Sequence, residues 1–167
     1  VVWNDNRDGN YEIYYKRSTD GGTSWSPDMQ LTNNSSNSNL PSVSASGSPP
    51  GGVHVVWRDN RDGNDETYYK RSTDGGISWE ADNRLTNNSN ESNYPSVAVW
   101  GSVVHVVWRD NRDGNFEIYY KRDPTGNFVG IQWQPDVRLT NDPASSVTSL
   151  EFPPCLRQDF LVLKWTF

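Results

Sequence analysis

The 167-residue chain has one cysteine, Cys155, one methionine and two histidines. A single thiol excludes an internal disulfide and any cysteine-rich metal site, though it does not fix the compartment. His54 and His105 sit in strand-like runs at no metal-ligand spacing, so they read as strand residues rather than ligands. No apolar run approaches the roughly 20 residues of a membrane span. An excess of cations is also missing. The net charge is −6 and the sequence pI about 4.8, which argues against a nucleic-acid phosphate partner. No stretch carries apolar residues at the 3.6 period, and this excludes helical repeats. No leader segment is visible, but the chain opens without Met inside a strand-like run, so that absence decides nothing.

What is present is polar and aromatic at once. Only 33% of the residues are hydrophobic and the mean hydropathy is −0.85, yet there are 8 Trp and 8 Tyr. Disordered chains are poor in aromatics, so the chain folds. Abundant Gly, Asn, Ser and Asp beside Val, Tyr and Trp point to short strands joined by many turns.

The sequence repeats. "WNDNRDGN" at Trp3, "WRDNRDGN" at Trp57 and the same octet at Trp108 recur at spacings of 54 and 51 residues. Each copy runs as a strand ("VHVVWRD"), the turn "NRDGN", a second strand ("YEIYYKRS", "DETYYKRS", "FEIYYKRD") and a Gly-rich turn to Trp25, Trp79 or Trp133. A short strand follows ("MQLT", "NRLT", "VRLT"), then an Asn/Ser-rich loop, then a fourth strand at 41–46 or 95–100. Four short strands per unit of about 50 residues predict an all-β fold, a β-propeller of four-stranded antiparallel blades. Residues 1–142 hold three repeats, about 1–46, 47–100 and 101–142. An immunoglobulin-like sandwich is the structural alternative, but sandwiches do not repeat internally at this fidelity.

Between the second and third strands stand "STDGGTSW" (18–25) and "STDGGISW" (72–79). This Ser-x-Asp-x-Gly-x-Ser-Trp pattern resembles the Asp-box, or bacterial neuraminidase repeat, of the sialidase-like β-propeller superfamily. The resemblance covers the three repeats. It implies a six-bladed ring, a structural Asp-box on the face away from the ligand site, and secretion or cell-surface display. In physical terms, Gly22 and Gly76 permit positive φ in a tight turn. Asp20 and Asp74 accept turn N–H groups, Trp25 and Trp79 pack back over the blade, and Ser18 and Ser72 complete the structural Asp-box. The third copy, "DPTGNFVGIQW" (123–133), is longer and loses the Ser and Asp positions, so its turn is expected to be looser.

Sialidases of this superfamily use an arginine triad, a Tyr/Glu nucleophile pair and an Asp acid/base, each from a different blade. Here Arg7/Arg61/Arg112, Asp8/Asp62/Asp113, Glu12/Glu66/Glu117 and Tyr14/Tyr68/Tyr119 are near-identical copies. Copies in equivalent environments do not divide acid, base and nucleophile roles among themselves. The Arg-Ile-Pro motif of sialidases is also missing. No catalytic residue is therefore assigned. The reading is a carbohydrate-binding or structural module, with a fragment of an exo-α-sialidase or related glycoside hydrolase, or a protein-interaction scaffold, as alternatives.

The "NRDGN" turns, predicted to lie opposite the Asp-boxes, supply the ligand-binding candidates Asp5, Arg7, Asp8, Asp59, Arg61, Asp62, Asp110, Arg112 and Asp113. Arginine forks bind carboxylates, and aromatics stack on sugar rings. The same residues also suit a hairpin turn, with the arginines pairing to Asp across blades. No metal site is assigned, and a loose Ca²⁺ site at Asp59, Asn60 and Asp62 is the one cofactor the residue types admit.

Three blades leave open edges, since propellers use about 4–8. Closure requires either the remainder of a longer protein or self-association of two copies. The divergent segment 143–167 contains a candidate closing strand, 143–150, and a very apolar stretch, 160–167.

Overall fold

The computed structural model describes residues 1–47, 51–125, 130–144 and 146. Among these there is no helix. Eleven strands form three antiparallel sheets. The first sheet holds β1 (Val2–Asp5), β2 (Glu12–Tyr15) and β3 (Met29–Gln30). The second holds β4 (Ser38–Ala45), β5 (Val53–Asp59), β6 (Glu66–Ser72) and β7 (Asn83–Arg84) in that order. The third repeats it with β8 (Ser92–Trp100), β9 (Val103–Asp110), β10 (Glu117–Asp123) and β11 (Val137–Arg138). The candidate closing strand beyond Ser146 and the stretch 160–167 lie outside the described residues.

The sheets are offset by one strand from the sequence repeats. The strand expected to end the first repeat, at 41–46, instead opens the second sheet, with Val43 opposite Val55 and Ser42 opposite Val56. The strand at 95–100 likewise pairs with β9. Its alternating small and apolar side chains suit an inner position flanked by another sheet. The first sheet consequently has three strands, and β1 has β2 alone as its neighbour.

Each junction between consecutive sheets has its own core. Ile13, Tyr15, Leu31, Val53, Val55, Trp57 and Tyr68 fill the first. Val56, Tyr69, Leu85, Val97, Val104, Val106, Trp108 and Tyr119 fill the second. Alternation along the strands sends successive residues to opposite faces, so one β5 serves both cores: Val55 and Trp57 face the first sheet and Val56 the third.

Candidate functional site

The "NRDGN" turns are hairpins closed by Gly9, Gly63 and Gly114 N–H donating to Asn6, Asn60 and Asn111 carbonyls at 3.1, 3.2 and 3.1 Å. These glycines sit at φ of 109°, 100° and 102°, where a side chain would be strained. The turns lie at the opposite end of the sheets from the Asp-boxes, because one follows β1, β5 and β9 and the other follows β2, β6 and β10.

The carboxylates and arginines of this turn are taken up within each sheet. Asp59 is fully buried and accepts Trp57 Nε1 at 2.9 Å, Ser38 Oγ at 2.8 Å and the Arg61 guanidinium at 2.6 Å. Asp110 repeats this with Trp108 at 3.0 Å, Ser92 at 2.7 Å and Arg112 at 2.6 Å. Asp5 keeps Arg7, at 2.6 Å. The second arm of each arginine reaches an Asp before the last strand: Asp28, Asp82 or Asp136, each at 2.8 Å. The arginine pairs therefore close each sheet upon itself; the pairing across blades expected from the sequence is not what forms. The guanidinium planes also lie over Tyr14, Tyr68 and Tyr119, at 4.4, 4.5 and 4.3 Å from the ring centres. Burial disfavours the charge on Asp59, but the Arg61, Trp57 and Ser38 hydrogen bonds outweigh it and hold the carboxyl below its ordinary range.

Asp8, Asp62 and Asp113 accept the hydroxyls of Tyr14, Tyr68 and Tyr119. The Asp8 bond pushes Tyr14 up to about 12, and burial with the Asp113 bond does the same to Tyr119. The same hydroxyl–carboxylate pair recurs in all three sheets, so it does not set one copy apart from the others. Glu117, buried, accepts Thr140, Arg138, Asn115 and the Asp142 N–H, so it binds the loop after β11 rather than a reacting group. The oxygens suggested for Ca²⁺ are also engaged: Asn60 Oδ1 accepts the Asn37 N–H, and Asp62 faces Arg84 at 3.2 Å. Among the described residues no group of three or more His, Cys, Asp or Glu converges for a metal. His54 and His105 bond Tyr69 and Tyr120 hydroxyls at 2.7 and 2.8 Å.

The Asp-boxes are built as turns. Ser18 and Ser72 Oγ accept the Gly22 and Gly76 N–H groups, both at 2.8 Å. Asp20 and Asp74 accept Ser24 and Ser78 N–H, both at 2.9 Å. These bonds hold both carboxyls far below the ordinary range. The two tryptophans differ. Trp79 meets Tyr15 of the preceding sheet edge-on, centres 5.0 Å apart, and Trp133 meets Tyr69 in the same way. Among the described residues no ring meets Trp25 in this way, and it is 47% exposed, contrary to the packing expected for it. In the third copy, Gln134 N–H still reaches Arg122 O at 2.9 Å, as Ser26 reaches Arg17 and Glu80 reaches Arg71, although Asp123 stands in the Ser position.

One group of residues on the "NRDGN" end departs from the repeat, and the repeat-based reading passed it over. Arg109 on β9 lies between two rings, 4.6 Å from the centre of Tyr94 and 4.0 Å from Phe116. Its hydrogen-bond partner among the described residues is Asn93 Oδ1 at 3.3 Å. The equivalent Arg58 has Leu40 in place of Tyr94, and it is neutralised by Asp65, in place of Phe116, at 2.9 Å. Tyr94 is 48% exposed and has φ of 54° at the bulge in β8, a backbone feature it shares with Leu40, at 53° in the bulge of β4. A non-glycine residue in that region is held there by its surroundings and costs about 1–3 kcal/mol. The signal available in the sequence was the difference between copies.

No family model matches the chain, and no curated protein does. The site is therefore judged on its geometry. Among the described residues the Arg109 guanidinium meets no carboxylate, and beside the exposed ring of Tyr94 it offers a carboxylate contact and a stacking surface side by side.

Proposed function

We propose that the chain is a non-catalytic module of the sialidase-like β-propeller type, its three sheets being consecutive blades, and that it binds carboxylate-bearing carbohydrate at Tyr94, Arg109 and Phe116. The propeller reading is supported by the serial packing of similar antiparallel sheets of three, four and four strands and by the Asp-box turns that lead into the last strand of the first two. It carries with it the expectation of a secreted or cell-surface setting. The observation that carries the binding reading is the Arg109 stack. Arg7, Arg61 and Arg112 of the repeated turns each pair with two aspartates, whereas among the described residues Arg109 pairs with no carboxylate.

The test is an immobilised panel of neutral and carboxylate-bearing saccharides, probed with wild type, Arg109→Ala and Tyr94→Ala. Wild type is expected to retain acidic saccharides in preference to neutral ones, and each variant to lose at least about tenfold in affinity, the loss expected of a charge-assisted or stacking contact. No retention on the panel leaves the scaffold reading in its place. Turnover of a fluorogenic sialoside by the purified chain would defeat the non-catalytic reading.

A further inference from the structure

The arginine of the Tyr94 site recurs one sheet earlier. Asn39 stands opposite Arg58 in the β4–β5 ladder, as Asn93 stands opposite Arg109 in the β8–β9 ladder. In both sheets the asparagine Oδ1 accepts the arginine Nε, at 2.6 Å for Arg58 and 3.3 Å for Arg109. Each asparagine precedes a residue at positive φ in a bulge, Leu40 or Tyr94. The framework that aims the guanidinium is therefore the same in the two sheets. The first sheet lacks the cation: Asn4 stands opposite Ile13, where Arg58 stands opposite Thr67 and Arg109 opposite Ile118.

What differs is the residue between the turn and the following strand, Asp65 before β6 and Phe116 before β10. Phe116 lays its ring 4.0 Å from the Arg109 guanidinium and brings no carboxylate. Asp65 sends a carboxylate oxygen to Arg58 Nη1 at 2.9 Å. The two side chains are 27% and 17% exposed, so the pair lies at the surface rather than in the core. Glu91, the acid near Asn93, accepts Asn93 Nδ2 at 3.3 Å and is not an ion-pair partner of Arg109. Asp65 therefore does for Arg58, from inside the chain, what a ligand carboxylate is proposed to do for Arg109.

We infer that Arg58 is a second carboxylate site of the same kind, closed by Asp65 acting as a built-in ligand, and that Asp65 rather than the arginine framework keeps acidic saccharide from this sheet. The inference rests on the reading of Arg109 as a carboxylate site. Closure follows from chain connectivity. Asp65 is seven residues from Arg58, across a hairpin turn, so its carboxylate acts at an effective concentration of about millimolar or more. An external carboxylate at lower concentration does not displace it. Removing that carboxylate leaves Arg58 aimed by Asn39, with the half-exposed Leu40 beside the bulge where the third sheet has Tyr94. An aliphatic side chain offers a saccharide less than a ring face does, so the opened Arg58 site is weaker than the Arg109 site.

The test follows the Nε–H resonances of Arg58 and Arg109 by NMR, assigned through Arg58→Lys and Arg109→Lys. The isotope-labelled full chain is titrated with a short saccharide carrying one uronic acid, and with its neutral counterpart as control. In wild type the Arg109 signal alone should move. In Asp65→Ala the Arg58 signal should move as well, with an affinity at least about tenfold above any it has in wild type, the worth of a charge-assisted hydrogen bond. Asp65→Phe should bind more tightly than Asp65→Ala, because it gives Arg58 the ring that Phe116 gives Arg109. Thermal unfolding is the folding control. Should Asp65→Ala not fold, Asp65→Asn removes the charge with the shape kept and is expected to open the site in the same direction. An Arg58 signal that stays still in the folded Asp65 variants, or that moves in wild type as Arg109 does, overturns the inference. The two readings fail separately. Movement of Arg109 alone in every protein keeps the Arg109 site and loses this one. Movement of Arg58 alone, in the Asp65 variants, keeps the closure by Asp65 and loses the Arg109 site. No movement of either loses both.

Discussion

Gly22 and Gly76 occupy the same place in two copies of one turn, yet they do different work. Both have positive φ, 92° and 84°. A Cβ on Gly22 would touch Trp25 alone, at 3.9 Å, whereas a Cβ on Gly76 would lie 2.2 Å from the Tyr15 hydroxyl of the neighbouring sheet. Gly22→Ala is expected to cost about 1–2 kcal/mol of backbone strain. Gly76→Ala adds a clash with the ring of buried Tyr15, and should cost about 3 kcal/mol or more in a denaturant melt. Asp59→Ala should cost about 3 kcal/mol, since it strands Trp57 Nε1, Ser38 and Arg61 together. The Asp-box turn was legible from the sequence because its bonds run between residues two to four apart, so spacing alone constrains them. The burial of Asp59 was not, because it depends on β4 arriving from 21 residues away. Neither was the difference between Trp25 and Trp79, whose local sequences nearly coincide and whose neighbours do not.

At the scale of elements, alternation and turn chemistry gave strand number and order, and the third sheet keeps all four strands despite its altered Asp-box. What the repeat did not disclose is its phase. Periodicity is the same wherever a unit is cut, so only register, Val43 against Val55, assigns the fourth strand to the following sheet. The loops that make this hand-over are held by glutamates on β2, β6 and β10. Glu117 is the clearest: although burial opposes its charge, bonds from Thr140, the Asp142 N–H, Arg138 and Asn115 bring it to about 2 from an ordinary 4.5. A folded-state value below the unfolded one stabilises the fold above about pH 4.5, and the contribution is lost as pH falls toward about 2. Unfolding by denaturant is therefore expected to ease through that window. Glu117→Gln should be less stable than wild type at neutral pH and should lose less on acidification. Equal slopes for the two proteins across the window would count against this role.

Over the whole molecule, the repeated residues and the divergent ones separate by task. Asp5, Arg7 and Asp8, with their counterparts Asp59, Arg61, Asp62, Asp110, Arg112 and Asp113, are dense in chemistry and were reasonable ligand candidates from residue type. Asp59, Arg61, Asp62, Asp110, Arg112 and Asp113 are bonded to tryptophans, tyrosines and aspartates of their own sheets. Tyr94, Arg109 and Phe116 occur together in one copy, and among the described residues Arg109 meets no carboxylate. The most direct measurement sets Arg61→Ala beside Arg109→Ala, each followed by thermal unfolding and by retention on carboxylate-bearing saccharides. Arg61→Ala should melt several degrees lower and still bind when folded, because a loss of about 1–3 kcal/mol falls on the scaffold. Arg109→Ala should melt with wild type and lose binding. The opposite pattern, with binding lost in folded Arg61→Ala and kept in Arg109→Ala, would contradict the division between a repeated scaffold and a single divergent site.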